Sequence, residues 1–134
     1  MEKTLIIYGG SSEISKHLIN EFKSIFYNFI IFCRNDIKVK KHIKDLKLDT
    51  SRFLIFKADL NDLDSNIKLI SNIESQIEGL IWVAGYTGLP EKEIINNKFC
   101  ELNFKVNLIN PIMIINNLIP KLSENSFISI ITSV

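Results

Sequence analysis

Apolar runs of strand length alternate with segments of helical period along this chain, and few folds accommodate that alternation. Residues 4–8, 29–33, 53–57, 80–84 and 127–132 are nearly continuous in apolar character, which is how strands covered on both faces of a parallel sheet read. Between them, Ile14, Leu18, Phe22 and Ile25, then Val39, Ile43 and Leu46, then Leu63, Ile67, Ile70 and Ile77 recur at helical spacing, and residues 99–122 read as one long helix. The order is β-α-β-α-β-α-β-α-β. Helical connections between parallel strands are right-handed, so the expected architecture is an α/β fold with a doubly wound parallel sheet of about five strands in the order 3-2-1-4-5. Its ligand crevice should open at the carboxyl ends of the strands, where the connections leaving strands 1 and 4 diverge.

Size and charge narrow the function classes. The 134 residues are enough for one domain with its own core, and 46% hydrophobic with 23% charged residues is a globular balance. Sixteen Lys and Arg against fifteen Asp and Glu leave a net charge of +1, so no global field draws nucleic acid. Cys33 and Cys100 lie far apart without metal-ligand spacing, and His17 and His42 are isolated, so no metal site is expected. Two scattered cysteines fit a reducing cytoplasm. The run at residues 5–7 is too short for a signal segment and no apolar stretch approaches a membrane span, so a cytoplasmic, membrane-free protein is expected. The basic stretch Lys38, Lys40, Lys41, Lys44 and Lys47, with His42 inside it, reads as the wet face of a helix.

The first strand breaks into Tyr8-Gly9-Gly10-Ser11-Ser12-Glu13-Ile14-Ser15 before the first helix. A Gly/Ser turn lets backbone approach a pyrophosphate, and the free N–H groups and positive dipole end of the following helix attract the anion. Similar chemistry waits at the other strand ends. Cys33-Arg34-Asn35 follows the second strand, where a carboxylate would bind a ribose 2′-hydroxyl and an arginine a 2′-phosphate. Arg34 therefore points to NADP(H) in preference to NAD(H), although a solvated surface arginine would look the same. Ala58-Asp59-Leu60 follows the third strand, where Asp59 is either a ligand contact or a helix N-cap. The fourth ends in Trp82-Val83-Ala84-Gly85, whose small residues permit close approach. Pro111, inside the long helix, should bend it.

In this order the segments resemble the classical short-chain dehydrogenase/reductase family, a family of Rossmann-type folds. The first turn is similar to its T-G-x-x-x-G-I-G, in the variant form G-G-S-S-E-I-G, with Glu13 and Ser15 where the second and third glycines usually stand. The resemblance implies that Gly9, Gly10, Ser11, Ser12 and Ile14 bind the cofactor, that Glu13 points away from it, and that Ser15 keeps the helix close to the sheet. It implies that Asp59 and Leu60 hold the adenine and that Ala84 and Gly85 face the nicotinamide ribose, though both asparagines of the family's Asn-Asn-Ala-Gly are missing. Val106-Asn107-Leu108 with Pro111 resembles V-N-L-x-G-P, in which the asparagine distorts the helix and holds a water of the proton relay. The closing Ile128-Ser129-Ile130-Ile131-Thr132-Ser133-Val134 is similar to I-V-N-I-S-S-V, which gives Ser133 the place of the serine that polarises the substrate carbonyl.

The family's acid, the tyrosine of Y-x-x-x-K, is absent: Tyr8, Tyr27 and Tyr86 are followed four positions later by Ser12, Ile31 and Pro90. Carbonyl reduction needs such a proton donor. The expectation from sequence is thus a truncated product or fragment, residues 1–134 forming an incomplete dinucleotide-binding domain that ends after its fifth strand and is inactive alone. The complete form would transfer hydride between NADP(H) and a small-molecule carbonyl or secondary alcohol, such as a sugar-derived ketone. The other reading is a non-catalytic nucleotide-binding or self-assembly module of the same descent. In either case, helix and strand faces left bare, among them Leu108, Ile112, Ile115, Ile119 and the last strand, point to a homo-oligomer.

Overall fold

The computed structural model describes residues 2–85 and 96–131. Strands β1 (Thr4–Tyr8), β2 (Asn28–Cys33), β3 (Phe53–Lys57), β4 (Ile77–Trp82) and β5 (Leu122–Ile130) form one sheet ordered β3-β2-β1-β4-β5. Every pairing is parallel. This is the doubly wound topology expected from the alternation of runs, and the crossover helices cover both faces. On one face Val39 and Ile43 of α2 (Asp36–Asp45) and Ile19 of α1 (Glu13–Phe22) pack on Leu5, Ile7 and Ile31. On the other, Ile70 of α3 (Leu63–Ser71) and Ile114 and Leu118 of α5 (Asn110–Leu118) pack on Ile6, Ile30 and Leu80. Burying one such aliphatic side chain contributes about 1.5–3 kcal/mol, so the two layers jointly fix the sheet.

Several boundaries differ from those read in the sequence. In α1 the inward stripe is Ser15, Leu18, Ile19 and Phe22, while Ile14 is exposed and Ile25, also exposed, lies beyond the helix end. Ile77 lies at helical spacing from Ile70 but belongs to β4: α3 stops at Ser71, and the polar residues 74–76 separate the two. β4 ends at Trp82 because the next two amides, Val83 and Ala84, both turn to the Tyr8 carbonyl at 2.8 and 3.0 Å. β5 begins five residues earlier than its apolar run, with a register irregularity opposite Ile77 and Gly79. Gly79 is small for a reason: a Cβ there would lie 2.7 Å from the Phe127 ring.

The expected single helix over 99–122 is instead α4 (Asn97–Phe104), a π-helical turn (Lys105–Ile109), α5, and a 3-10 turn (Ile119–Lys121), with Leu122 already in β5. Pro111 has no N–H for the carbonyl of Asn107 and its ring crowds that carbonyl. The helix widens in response: the Asn110 N–H reaches back five residues to the Lys105 carbonyl. The widening precedes the proline, so the π-helical turn contains Asn107.

Candidate functional site

The strand-to-helix turn after β1 is built on two glycines with different duties. Gly9 has φ +95°, and a Cβ on it would come within 2.6 Å of the Ala84 amide nitrogen, so only glycine permits both the left-handed backbone and the close approach. A Cβ on Gly10 would collide with the Ile31 side chain. Both glycine amides donate to the Phe32 carbonyl, at 2.9 and 3.1 Å, which anchors the turn on β2. Ser12 then caps α1: its Oγ accepts from the Ser15 N–H at 3.0 Å. Buried Ser15 donates its hydroxyl to the Gly9 carbonyl at 2.9 Å, so it ties helix to turn as well as allowing close packing. The amides of Glu13 and Ile14 have no acceptor among the described residues, and the exposed Glu13 carboxylate leans toward Lys38 at 3.9 Å.

This turn forms one wall of a cavity of about 440 Å³ at the carboxyl ends of β1 to β4, within the size range of small-molecule and cofactor sites. The cavity brings together Gly9, Ser11 and Ser12 from the first turn, Arg34 from the second, Asp59 and Leu60 from the third, and Ala84 and Gly85 from the fourth. Gly10 lies beneath it against β2, and the Ile14 side chain is turned out, leaving only its N–H facing the helix end. Asn107 is not in the cavity wall, but its Oδ1 would be 3.7 Å from a Cβ on Gly85, and its Nδ2 donates to Asn103 Oδ1 at 3.3 Å. Ser133 falls outside the described residues.

The Arg34 guanidinium is exposed and has no hydrogen-bond or ion-pair partner among the described residues. Asp36, one turn along, is engaged by Lys40 at 2.8 Å, whose hydrogen bond holds its carboxyl below the usual range. Beside Arg34, burial pushes the Cys33 thiol up to about 11, with Asp36 adding to the rise. Asp59 is not a helix N-cap; Asp62 has that place, accepting from Ser65 N–H at 3.1 Å. Asp59 Oδ1 instead accepts from the Asn61 N–H at 2.9 Å.

Sequence reading missed the floor. Tyr8 lies between Phe32 and Trp82, with ring centroids 4.2 and 4.5 Å away and nearly parallel planes, and burial raises its phenol well above the ordinary value. Trp82 donates Nε1–H to the Ala84 carbonyl at 2.8 Å. Leu102 and Val106 close the apolar side. The floor is made by Tyr8 and Phe32, with Trp82 stacked against Tyr8; only the strand register, not the sequence, brings the three together as the last residues to pair across adjacent strands. His42, placed on a wet face in the sequence reading, is buried, while Lys38, Lys40, Lys41 and Lys44 are exposed. Among the described residues no cluster of three His, Cys, Asp or Glu side chains could hold a metal, and no helix is long and apolar enough to cross a membrane.

The chain belongs to the short chain dehydrogenase family, whose sequence model matches residues 3–134. A short chain dehydrogenase of Pseudocercospora fijiensis is 26% identical over 90 residues, covering 65% of this chain and 29% of that protein. A glucose/ribitol-type short-chain dehydrogenase/reductase of Brucella melitensis superposes with a TM-score of 0.80 at 20% identity, over 97% of this chain and 56% of that one. A short-chain dehydrogenase/reductase of Burkholderia multivorans solved with NADP bound gives 0.81 at 16% identity, over 99% and 59%. BdcA in complex with NADPH gives 0.78 at 22%, over 98% and 52%. At these identities the structural likeness is one of fold, and the chain spans little more than half the length of these solved relatives.

Proposed function

We propose that residues 1–134 are the dinucleotide-binding part of an NADP(H)-dependent oxidoreductase. The observation that carries the reading is convergence: four separate strand ends deliver Gly9, Arg34, Asp59 and Ala84 to one 440 Å³ cavity beside the N-terminus of α1. The residues present suit a dinucleotide. Gly9 admits no Cβ against the Ala84 backbone, the Glu13 and Ile14 amides have N–H groups to give to a pyrophosphate, and Arg34 has a fork of donors for a 2′-phosphate. Asp59, with Leu60, would take the adenine, and Gly85 the nicotinamide ribose. NADP and NADPH bound to relatives of the same fold support the choice, as does the pairing of Asp36, two residues from Arg34, with the Lys40 ammonium.

When bound, the nicotinamide supplies a hydride acceptor or donor for a small-molecule carbonyl or secondary alcohol. This chain's part is to orient the dinucleotide and to place Asn107 beside Gly85; by family resemblance Ser133 supplies the group that polarises the carbonyl. Buried Cys33 and exposed Cys100 are both unbridged, in keeping with a reducing cytoplasm. Exposed Leu108, Ile112 and Ile119 on the α4–α5 segment and Phe127, Ile128 and Ile130 on β5 favour self-association of the chain, whereas Ile115 packs inward. Calorimetric titration with NADPH and NADH tests the reading. NADPH should bind the more tightly, and absence of heat with either would remove it.

A further inference from the structure

The loop between β3 and α3 carries Asp59 and Leu60 and has no ladder of its own, yet two fully buried amides hold its carbonyls. Asn66 of α3 is 0% exposed and Asn110 of α5 is 2% exposed. Asn66 makes three hydrogen bonds here: Nδ2 donates to the Asp59 carbonyl at 2.7 Å and to the Asp62 carbonyl at 2.8 Å, while Oδ1 accepts the Tyr8 hydroxyl at 3.1 Å. Asn110 Nδ2 donates to the Leu60 carbonyl at 2.6 Å, across fifty residues of sequence. Consecutive carbonyls are thus gripped from two different helices.

Packing alone does not ask for amides at these positions. The other buried residues of α3 and α5, Ile70, Pro111, Ile114 and Leu118, are apolar, and a buried amide costs free energy unless its polar atoms are partnered. What the amides specify is the course of the loop. The Asp59 carbonyl, held by Asn66, also accepts the Asp62 N–H at 3.0 Å, and Asp59 Oδ1 fixes the Asn61 N–H. Asn110 also follows directly on the π-helical turn that contains Asn107, so it joins that turn to the same loop.

We propose that Asn66 and Asn110 are positioning residues for the adenine end of the site: they hold the Asp59-Leu60 loop in its binding shape before any ligand arrives. This rests on the reading of the cavity as a dinucleotide site. A preorganised loop binds more tightly because its ordering is not charged against the ligand.

The test titrates the chain with adenosine 2′,5′-bisphosphate, which reaches the adenine end, and with nicotinamide mononucleotide, which does not. Variants are Asn66→Ala and Asn110→Ala, each of which releases loop carbonyls while leaving every cavity-lining residue in place. Each should weaken the bisphosphate by about tenfold or more, near 1.4 kcal/mol, with mononucleotide affinity within about twofold at a temperature where the variant is folded. Equal bisphosphate affinity in variant and unmodified chain would overturn the positioning role while leaving the site reading intact. An unmodified chain that does not bind the bisphosphate removes both. If the variants do not fold, amide exchange in the unmodified chain decides. Asn61 and Asp62 should exchange at least about tenfold more slowly than in an unfolded chain before ligand is added, and free exchange there would overturn the proposal.

Discussion

Gly9 and Ala84 approach so closely that no side chain fits between the first turn and the end of β4, a Cβ on Gly9 falling 2.6 Å from the Ala84 nitrogen. The contact joins the two strand ends where the sheet order reverses, and a left-handed backbone makes it possible. Gly9→Ala should therefore destabilise the chain by about 2–4 kcal/mol and abolish dinucleotide binding. Gly85→Ala is the contrast: among the described residues its Cβ would meet Asn107 Oδ1 alone, at 3.7 Å, and stability should stay within about 1 kcal/mol. Paired urea melts check both, and equal costs would contradict the packing argument.

Arg34 controls the choice between cofactors if it meets the 2′-phosphate. Arg34→Asp should lower NADPH affinity by about 10- to 100-fold, from the loss of a charge-assisted contact of roughly 1.5–3 kcal/mol, and leave NADH binding equal or better. Because Arg34 has no partner among the described residues, the melting temperature should barely move. A variant that loses both cofactors equally would show that Arg34 does not discriminate.

Stability should fall on the alkaline side. Burial raises the Cys33 thiol from 9.0 to about 11 and pushes the Tyr8 phenol far above its ordinary 10.0. The unfolded chain releases these protons first, so above pH 9 it binds fewer protons than the folded chain and stability declines as pH rises. Cys33 accounts for the loss between pH 9 and about 11, and Tyr8 for a continuing loss above pH 10. Urea midpoints at pH 8, 9 and 10 measure it, and Cys33→Ala should flatten the first part of the decline. A midpoint that rises with pH would reverse the assignment.

Apolar residues on two surfaces predispose the chain to associate. Ile112 is 57% and Ile130 54% exposed, and β5 pairs only with β4 among the described strands, so its outer edge can template another strand. At tens of micromolar, roughly where exposed edges associate, light scattering should give a mass above that of one chain. Ile112→Lys with Ile130→Lys should return it toward the monomer.

The sheet order and the convergence of motifs were legible because buried parallel strands are continuous apolar runs and ligand chemistry collects at their carboxyl ends. Asp59, Arg34 and Gly9 could be found that way. Asn66 and Asn110 could not, since asparagine recurs throughout this sequence and only tertiary contact distinguishes a buried amide from a surface one. The division of the 99–122 helix was half legible: Pro111 marked a bend, but the π-helical turn around Asn107 depends on how the backbone relieves the missing N–H. Ile77 was misread because a strand residue happened to fall at helical spacing from Ile70.

The central claim is that a nicotinamide dinucleotide occupies this cavity, and amide chemical-shift mapping of the labelled chain with NADPH tests it most directly. The expected result is a contiguous set of perturbed amides at residues 9–14, Arg34, residues 59–61 and Ala84-Gly85, with the groove at Lys23, Tyr27 and Arg52 on the far side unaffected. Perturbations confined to that groove, or none at saturating NADPH, would contradict the account.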